Sequence, residues 1–140
     1  MSDWLETTRG VCMPAMTDRF GHMNVRYYGH FFDDGAFHLW TRLGVGVKKM
    51  LEMGVHTVTA RNTINYLREV HAGDLVVVRG GFTRVGSKSV TIYQEMVDAD
   101  TMEPRATYET VEVFFDPQTR QSTAMPAAIR QVLEANIVTV

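Results

Sequence analysis

Within residues 18–28, DRFGHMNVRYY, a carboxylate and an imidazole stand four positions apart, just ahead of a helical pattern. Asp18 and His22 are the residue types that move protons or attack a carbonyl carbon. Gly21 between them lets the backbone turn tightly, at a position where a β-carbon is not expected to fit. Asn24 has the side chain of an N-cap, able to accept from an amide of the first helical turn. The amides that open such a helix carry partial positive charge and lack intrahelical partners, so they can polarise a carbonyl oxygen without any charged side chain. Spacing alone leaves plainer roles open. By spacing Asp18 reads more readily as a turn or cap residue, and His22 and Asn24 as groups that satisfy nearby backbone.

Other constellations are weaker. His30, Asp34 and His38 recur at i, i+4 and i+8. A stripe of that length covers about 12 Å of helix, too far for all three to meet one ion, so no metal and no cofactor are expected. Asp33 and Asp34 are expected on an exposed helix face or in an ion pair. None of the four serines lies in a G-x-S-x-G elbow, and no G-x-x-x-x-G-K-[ST] phosphate loop occurs. Those absences argue against an α/β-hydrolase and a nucleotidase.

The elements that must position Asp18 can be read from spacing. Residues 8–16 are expected to form a first strand, and Asp18, Gly21 and Asn24 a polar turn. Large apolar residues then recur at Tyr27/Tyr28, Phe31/Phe32, Phe37, Leu39/Trp40 and Leu43, which predicts a helix ending at Gly44 and Gly46, with its aromatic residues mostly in the core. Residues 55–69, 75–85, 88–98 and 105–116 read as strands, separated by the HAGD turn at 71–74 and by a hairpin at Gly86. Pro126 suits the first position of a last helix over 127–135. One long helix against a mostly antiparallel sheet is an α+β arrangement.

With 140 residues, 45% hydrophobic and 21% charged, the chain is expected to form one globular domain, 1–140. A formal charge of −2 without a basic cluster makes nucleic acid an unexpected partner. Cys12 is the only cysteine, so no internal disulfide can form, and no apolar run is long enough to span a membrane. A cytoplasmic location without membrane association is expected.

Asp18, Gly21, His22, Met23, Asn24 and Tyr28, followed by Phe31–Phe32 and Asp33–Asp34, form a pattern that resembles the 4-hydroxybenzoyl-CoA thioesterase family, including its acyl-CoA thioesterases. The long strand with Ile64 and Tyr66, the Gly73–Asp74 turn, the strand pair around Ser87–Ser89 and the proline-led last helix extend the resemblance over nearly the whole chain. It implies a hot-dog fold, in which the sheet wraps around one central helix, and hydrolysis of a coenzyme A thioester. On this resemblance Asp18 is the catalytic carboxylate, activating water or attacking the carbonyl directly, and the amide of Val25 polarises the carbonyl. Gly21 shapes the turn, while His22 and Asn24 support it. Tyr28 is expected to line the acyl site, and Arg84 and Lys88, flanking Gly86, to hold a coenzyme A phosphate unless they are simply solvated. Gly35–Ala36 departs from the family's common Ala-Arg pair, which puts that arginine's salt bridge in doubt.

The resemblance also implies a homodimer or homotetramer with sites between subunits. Two other functions fit the same fold. A non-catalytic acyl-CoA binding or sensing module needs no reactive carboxylate. A hot-dog acyl dehydratase or hydratase uses Asp and His in a G-D-x-N-P-x-H-type segment, or His with Glu; the former is missing and no Glu partner for His22 is evident.

Overall fold

The computed structural model describes residues 3–140. Strand β1 is Leu5–Val11, followed by a single 3-10 turn at Pro14–Met16, the long helix α1 at Val25–Arg42 and a short helix α2 at Val47–Glu52. Strands β2 (His56–Tyr66), β3 (Leu75–Val85), β4 (Ser89–Asp98) and β5 (Pro104–Asp116) come next. A two-residue β6, Gln121–Ser122, and helix α3, Ala127–Glu134, complete the order. The sheet runs β1-β3-β4-β5-β2, every pairing antiparallel, with β6 against the end of β5. This is the expected α+β hot-dog arrangement, a curled sheet around one long helix.

Helix α1 lies on the sheet because its apolar side chains recur at helical spacing: Tyr28, Phe32, Ala36, Leu39 and Trp40 are buried. At one end Trp40 meets Phe82 edge-on at 4.6 Å and Phe114 at 5.9 Å, over Ile92, Ile129 and Leu133. At the other, Tyr28 and Phe32 pack with Cys12, Met23, Val70, Met96 and Tyr108. Midway the helix approaches the sheet closely at Gly35, where a β-carbon would collide with the side-chain oxygen of fully buried Gln94. The Gln94 amide nitrogen donates to the Phe32 carbonyl at 2.8 Å. Gly35 therefore serves contact between helix and sheet, and Asp33 and Asp34 beside it are exposed.

Several boundaries differ from expectation. The first strand is Leu5–Val11 and not 8–16, because Pro14 offers no amide to a ladder and opens the 3-10 turn instead. Residues 47–52, left unassigned by sequence, form α2, and β6 is too short to leave a pattern. Pro126 is the N-cap of α3 and not its first helical residue. Phe37 is 54% exposed and so is not a core aromatic. Among the described residues no helix is long and apolar enough to cross a membrane.

Candidate active site

The chain enters the site beside the start of β3, where the amide of Cys12 donates to the Asp74 carbonyl at 2.8 Å and that of Gly73 to the Cys12 carbonyl at 2.7 Å. After the 3-10 turn, residues 17–23 fold back on themselves, with Thr17 bridged to Met23 and the Asp18 amide donating to the His22 carbonyl at 2.9 Å. Gly21 takes φ +80° in this turn, yet a β-carbon there would meet nothing within 4 Å. The expectation of a steric limit at Gly21 is thus corrected: the constraint is the left-handed backbone, not space.

Asp18 is half-buried, and its Oδ1 accepts from the amides of Phe20 at 2.8 Å and His22 at 3.3 Å. This fixes the carboxylate by one oxygen only. Among the described residues its Oδ2 has no hydrogen-bond partner. A carboxylate anchored through one oxygen can present the other to a water or a carbonyl carbon.

Asn24 caps α1 from an extended backbone, its side-chain oxygen accepting from the Arg26 amide at 3.2 Å while the Tyr27 amide donates to the Asn24 carbonyl at 2.9 Å. The Val25 amide, the first of the helix, has no partner among the described residues. It carries the positive end of an 18-residue helix. A cleft of about 290 Å³ brings Asp18 and Val25 together with His22, Met23, Tyr28, Tyr66 and Glu69. Tyr28 is buried on its wall, edge-on to Tyr66 at 5.0 Å, and burial pushes its hydroxyl pKa up.

The ring of His22 pairs with Glu69 and His71. Its Nε2 lies 3.1 Å from a Glu69 carboxylate oxygen, and His71 Nε2 lies 3.5 Å from the same oxygen. The two rings meet edge-on at 5.0 Å. A Glu partner for His22 therefore exists, which spacing had not revealed. Glu69 and His71 carry no periodic or motif signal of their own. They reach His22 only because the Met23 amide donates to the Val70 carbonyl at 2.7 Å and His22 bridges His71.

Arg84, near the far end of β3, and Lys88, in the hairpin beyond it, are exposed, and about 30 Å of strand separates them from the 71–74 turn that bonds Cys12. The fold of the single chain does not bring them to this cleft. Arg84 instead shares a shallow polar groove with Arg61, Ser89 and Thr91. A separate cleft of about 210 Å³ lies between α1 and β2, lined by Asp33, Phe37, Trp40, His56, Thr59 and Glu112 among others. From Val25 to Ala36, on its wall, is roughly 16 Å along the helix. Within it burial raises the Glu112 pKa, against hydrogen bonds from Thr59 and Thr57 that lower it, and the nearby Asp33 charge raises it further.

Comparison with solved structures finds the same fold repeatedly. A predicted thioesterase from Bacillus stearothermophilus is 25% identical over 99% of each chain, with a TM-score of 0.82. The hypothetical protein SAV2348 from Staphylococcus aureus, solved in complex with CoA, superimposes with a TM-score of 0.85 at 18% identity, covering 97% of this chain and 88% of that one. Slr0204, a 1,4-dihydroxy-2-naphthoyl-CoA thioesterase from Synechocystis, gives 0.80 at 14% identity over 94% and 96%. No protein of curated function matches the chain in sequence. The model of the thioesterase-like superfamily matches residues 12–133, a span that begins at the strand end leading into the Asp18 turn and runs into α3. With strands β2 to β5, the central helix and Asp18 inside that span, the chain belongs to the thioesterase-like superfamily.

Proposed function

We propose that this chain is an acyl-CoA thioesterase, hydrolysing a coenzyme A thioester to the free acid and CoA. One juxtaposition carries the reading: Asp18, whose Oδ2 is unengaged among the described residues, shares a cleft with the Val25 amide, likewise without a partner among them, at the positive end of α1. The family supplies the reaction class. Oδ2 takes a proton from water as that water attacks the thioester carbon, or itself attacks to give a mixed anhydride, which a second water then opens to release the acid and restore the Asp18 carboxylate. The Val25 N–H receives the charge that develops on the carbonyl oxygen, and the CoA thiolate leaves. Single-turnover hydrolysis in isotopically labelled water bears on the two routes: label in the Asp18 carboxylate requires an anhydride that water opens at the Asp18 carboxyl carbon, whereas direct attack by water places label in the product acid alone. Gly21 and Asn24 set the turn and the helix start, and His22 contributes the backbone amide that anchors Oδ1.

Tyr28 forms an apolar wall for the acyl group. Residues 1–140 act as one domain, in the cytoplasm. The second cleft, and Arg84 and Lys88 for CoA phosphates, complete the site only when supplied by another copy, so a homodimer or a tetramer of dimers is part of the proposal. Support comes from β2, an edge strand whose residues 59–63 are all exposed, an edge that soluble proteins normally cover or pair. A stable, active monomer in sedimentation would contradict that assembly.

The test is a panel of acyl-CoAs assayed with a thiol reagent. Turnover of at least one member at enzymatic rate is expected. Saturable binding with no thiol release would favour the binding module, and conversion of an enoyl-CoA without CoA release would favour the hydratase.

A further inference from the structure

Beside the Asp18 carboxylate, the ring of His22 joins Glu69 and His71 in a cluster of metal-ligating side chains. Among the described residues it is the only trio of His, Cys, Asp or Glu whose ligand atoms converge, all within 4.8 Å of one another. The stripe of His30, Asp34 and His38 does not converge, and all three are exposed.

We propose that His22, Glu69 and His71 form a binding site for one divalent cation of zinc's class. This departs from the expectation, drawn from spacing, that no metal binds. Bonds of about 2.0–2.1 Å at tetrahedral angles hold ligand atoms roughly 3.3 Å apart. Around the Glu69 oxygen the two ring nitrogens stand at 3.1 and 3.5 Å. Two imidazoles and a carboxylate are a donor set suited to zinc, and three protein ligands leave a fourth position for water or an incoming anion.

The trio is open to an incoming ion, with Glu69 and His71 exposed and His22 half-buried. His71 faces Asp74 Oδ2 with its other ring nitrogen, Nδ1, at 3.8 Å, and that oxygen is held by the His71 amide at 2.8 Å. A carboxylate that hydrogen-bonds a ligating histidine orients its remaining nitrogen toward the ion, and Asp74 stands on that side of the His71 ring, at a separation slightly longer than a hydrogen bond. Arg68, next in sequence to Glu69, is drawn off to Glu103 at 3.2 Å, so it does not claim the Glu69 carboxylate. The two segments that supply the ligands are already joined by backbone, through Met23 to Val70 and the His22–His71 bridge. A cation there would clamp the Asp18 loop to the 71–74 turn. Because Asp18 is held by the His22 amide and not its ring, the site stands on donor geometry and does not rest on the hydrolytic reading.

The experiment uses tag-free, chelator-treated full-length protein titrated calorimetrically with zinc chloride, with a parallel Co²⁺ titration followed by visible absorption. One equivalent of Zn²⁺ per chain is expected, together with the visible bands of four-coordinate Co²⁺ and no comparable binding of Mg²⁺. His71→Ala and the isosteric Glu69→Gln should each weaken Zn²⁺ binding at least tenfold with unchanged circular dichroism, while His38→Ala leaves it intact. Should His71→Ala fail to fold, Glu69→Gln alone decides. Failure to bind near one equivalent, or binding undiminished in Glu69→Gln, would overturn the site, whether or not the protein hydrolyses thioesters.

Discussion

Asp18 accepts a 3.3 Å hydrogen bond from the amide of His22, and with the Phe20 amide this commits Oδ1 to the turn and leaves Oδ2 for chemistry. One side chain thus does both things that spacing offered as alternatives. It is a turn residue through one oxygen and a candidate base or nucleophile through the other. The same pairing separates the two halves of His22, whose backbone serves Asp18 while its ring serves Glu69.

Gly21 provides a test of the turn itself. Gly21→Ala places a β-carbon in open space but at φ +80°, so the whole effect is conformational and amounts to about 1–2 kcal/mol of stability. Gly21→Asn, a residue that tolerates the left-handed region, should recover part of it. Urea denaturation of the three proteins measures both. An alanine variant as stable as the parent would show that the turn relaxes to a different backbone.

Gly35 is constrained in the opposite manner, by space and not by φ. Gly35→Ala drives a β-carbon into the buried Gln94 side chain and should destabilise by about 1–3 kcal/mol. Gln94→Ala in the same background removes the nearest obstacle, leaving Thr7 and Val78 at 3.0 and 3.2 Å, so the two substitutions should be non-additive in a double-mutant cycle. Additive losses would mean that the helix does not rest on Gln94.

Glu112 predicts a pH signature. Its pKa is raised in the folded protein, first by burial, so ionisation is less favourable folded than unfolded. Below the ordinary carboxyl range the group is protonated in both states and contributes nothing. As pH rises above it, the unfolded chain ionises first and stability falls, until the folded group ionises too. Glu112→Gln, which can still accept from Thr59, should therefore raise the melting temperature more at pH 8 than at pH 4. A difference that grows toward low pH has the wrong sign for this account.

Much of this was legible in the sequence where local rules dominate. The aromatic spacing gave α1 because one face of it had to be buried, and the HAGD turn and Gly86 bounded β3 at Leu75 and Val85. Where local rules compete, reading failed: Val11–Met16 looks apolar enough for a strand, but Pro14 breaks the ladder. Phe37 keeps helical spacing yet faces outward, since period alone does not say how wide the covered stripe is. The candidate site divides along the same line. Asp18, Gly21 and Asn24 act within a few residues of themselves and left a pattern. Glu69 and His71 meet His22 only through a long-range bridge, and Arg84 and Lys88 lie far along β3, and neither relation has a signature in spacing.

The most direct measurement is the hydrolysis rate of Asp18→Asn beside the parent protein on the best acyl-CoA of the panel. Asparagine keeps a side-chain oxygen for the Phe20 and His22 amides, so the fold and substrate binding should persist while the base or nucleophile is lost. The account predicts a fall in kcat of about 10²–10⁴-fold with a melting temperature close to the parent's. A folded Asp18→Asn protein that releases CoA at the parental rate would contradict it.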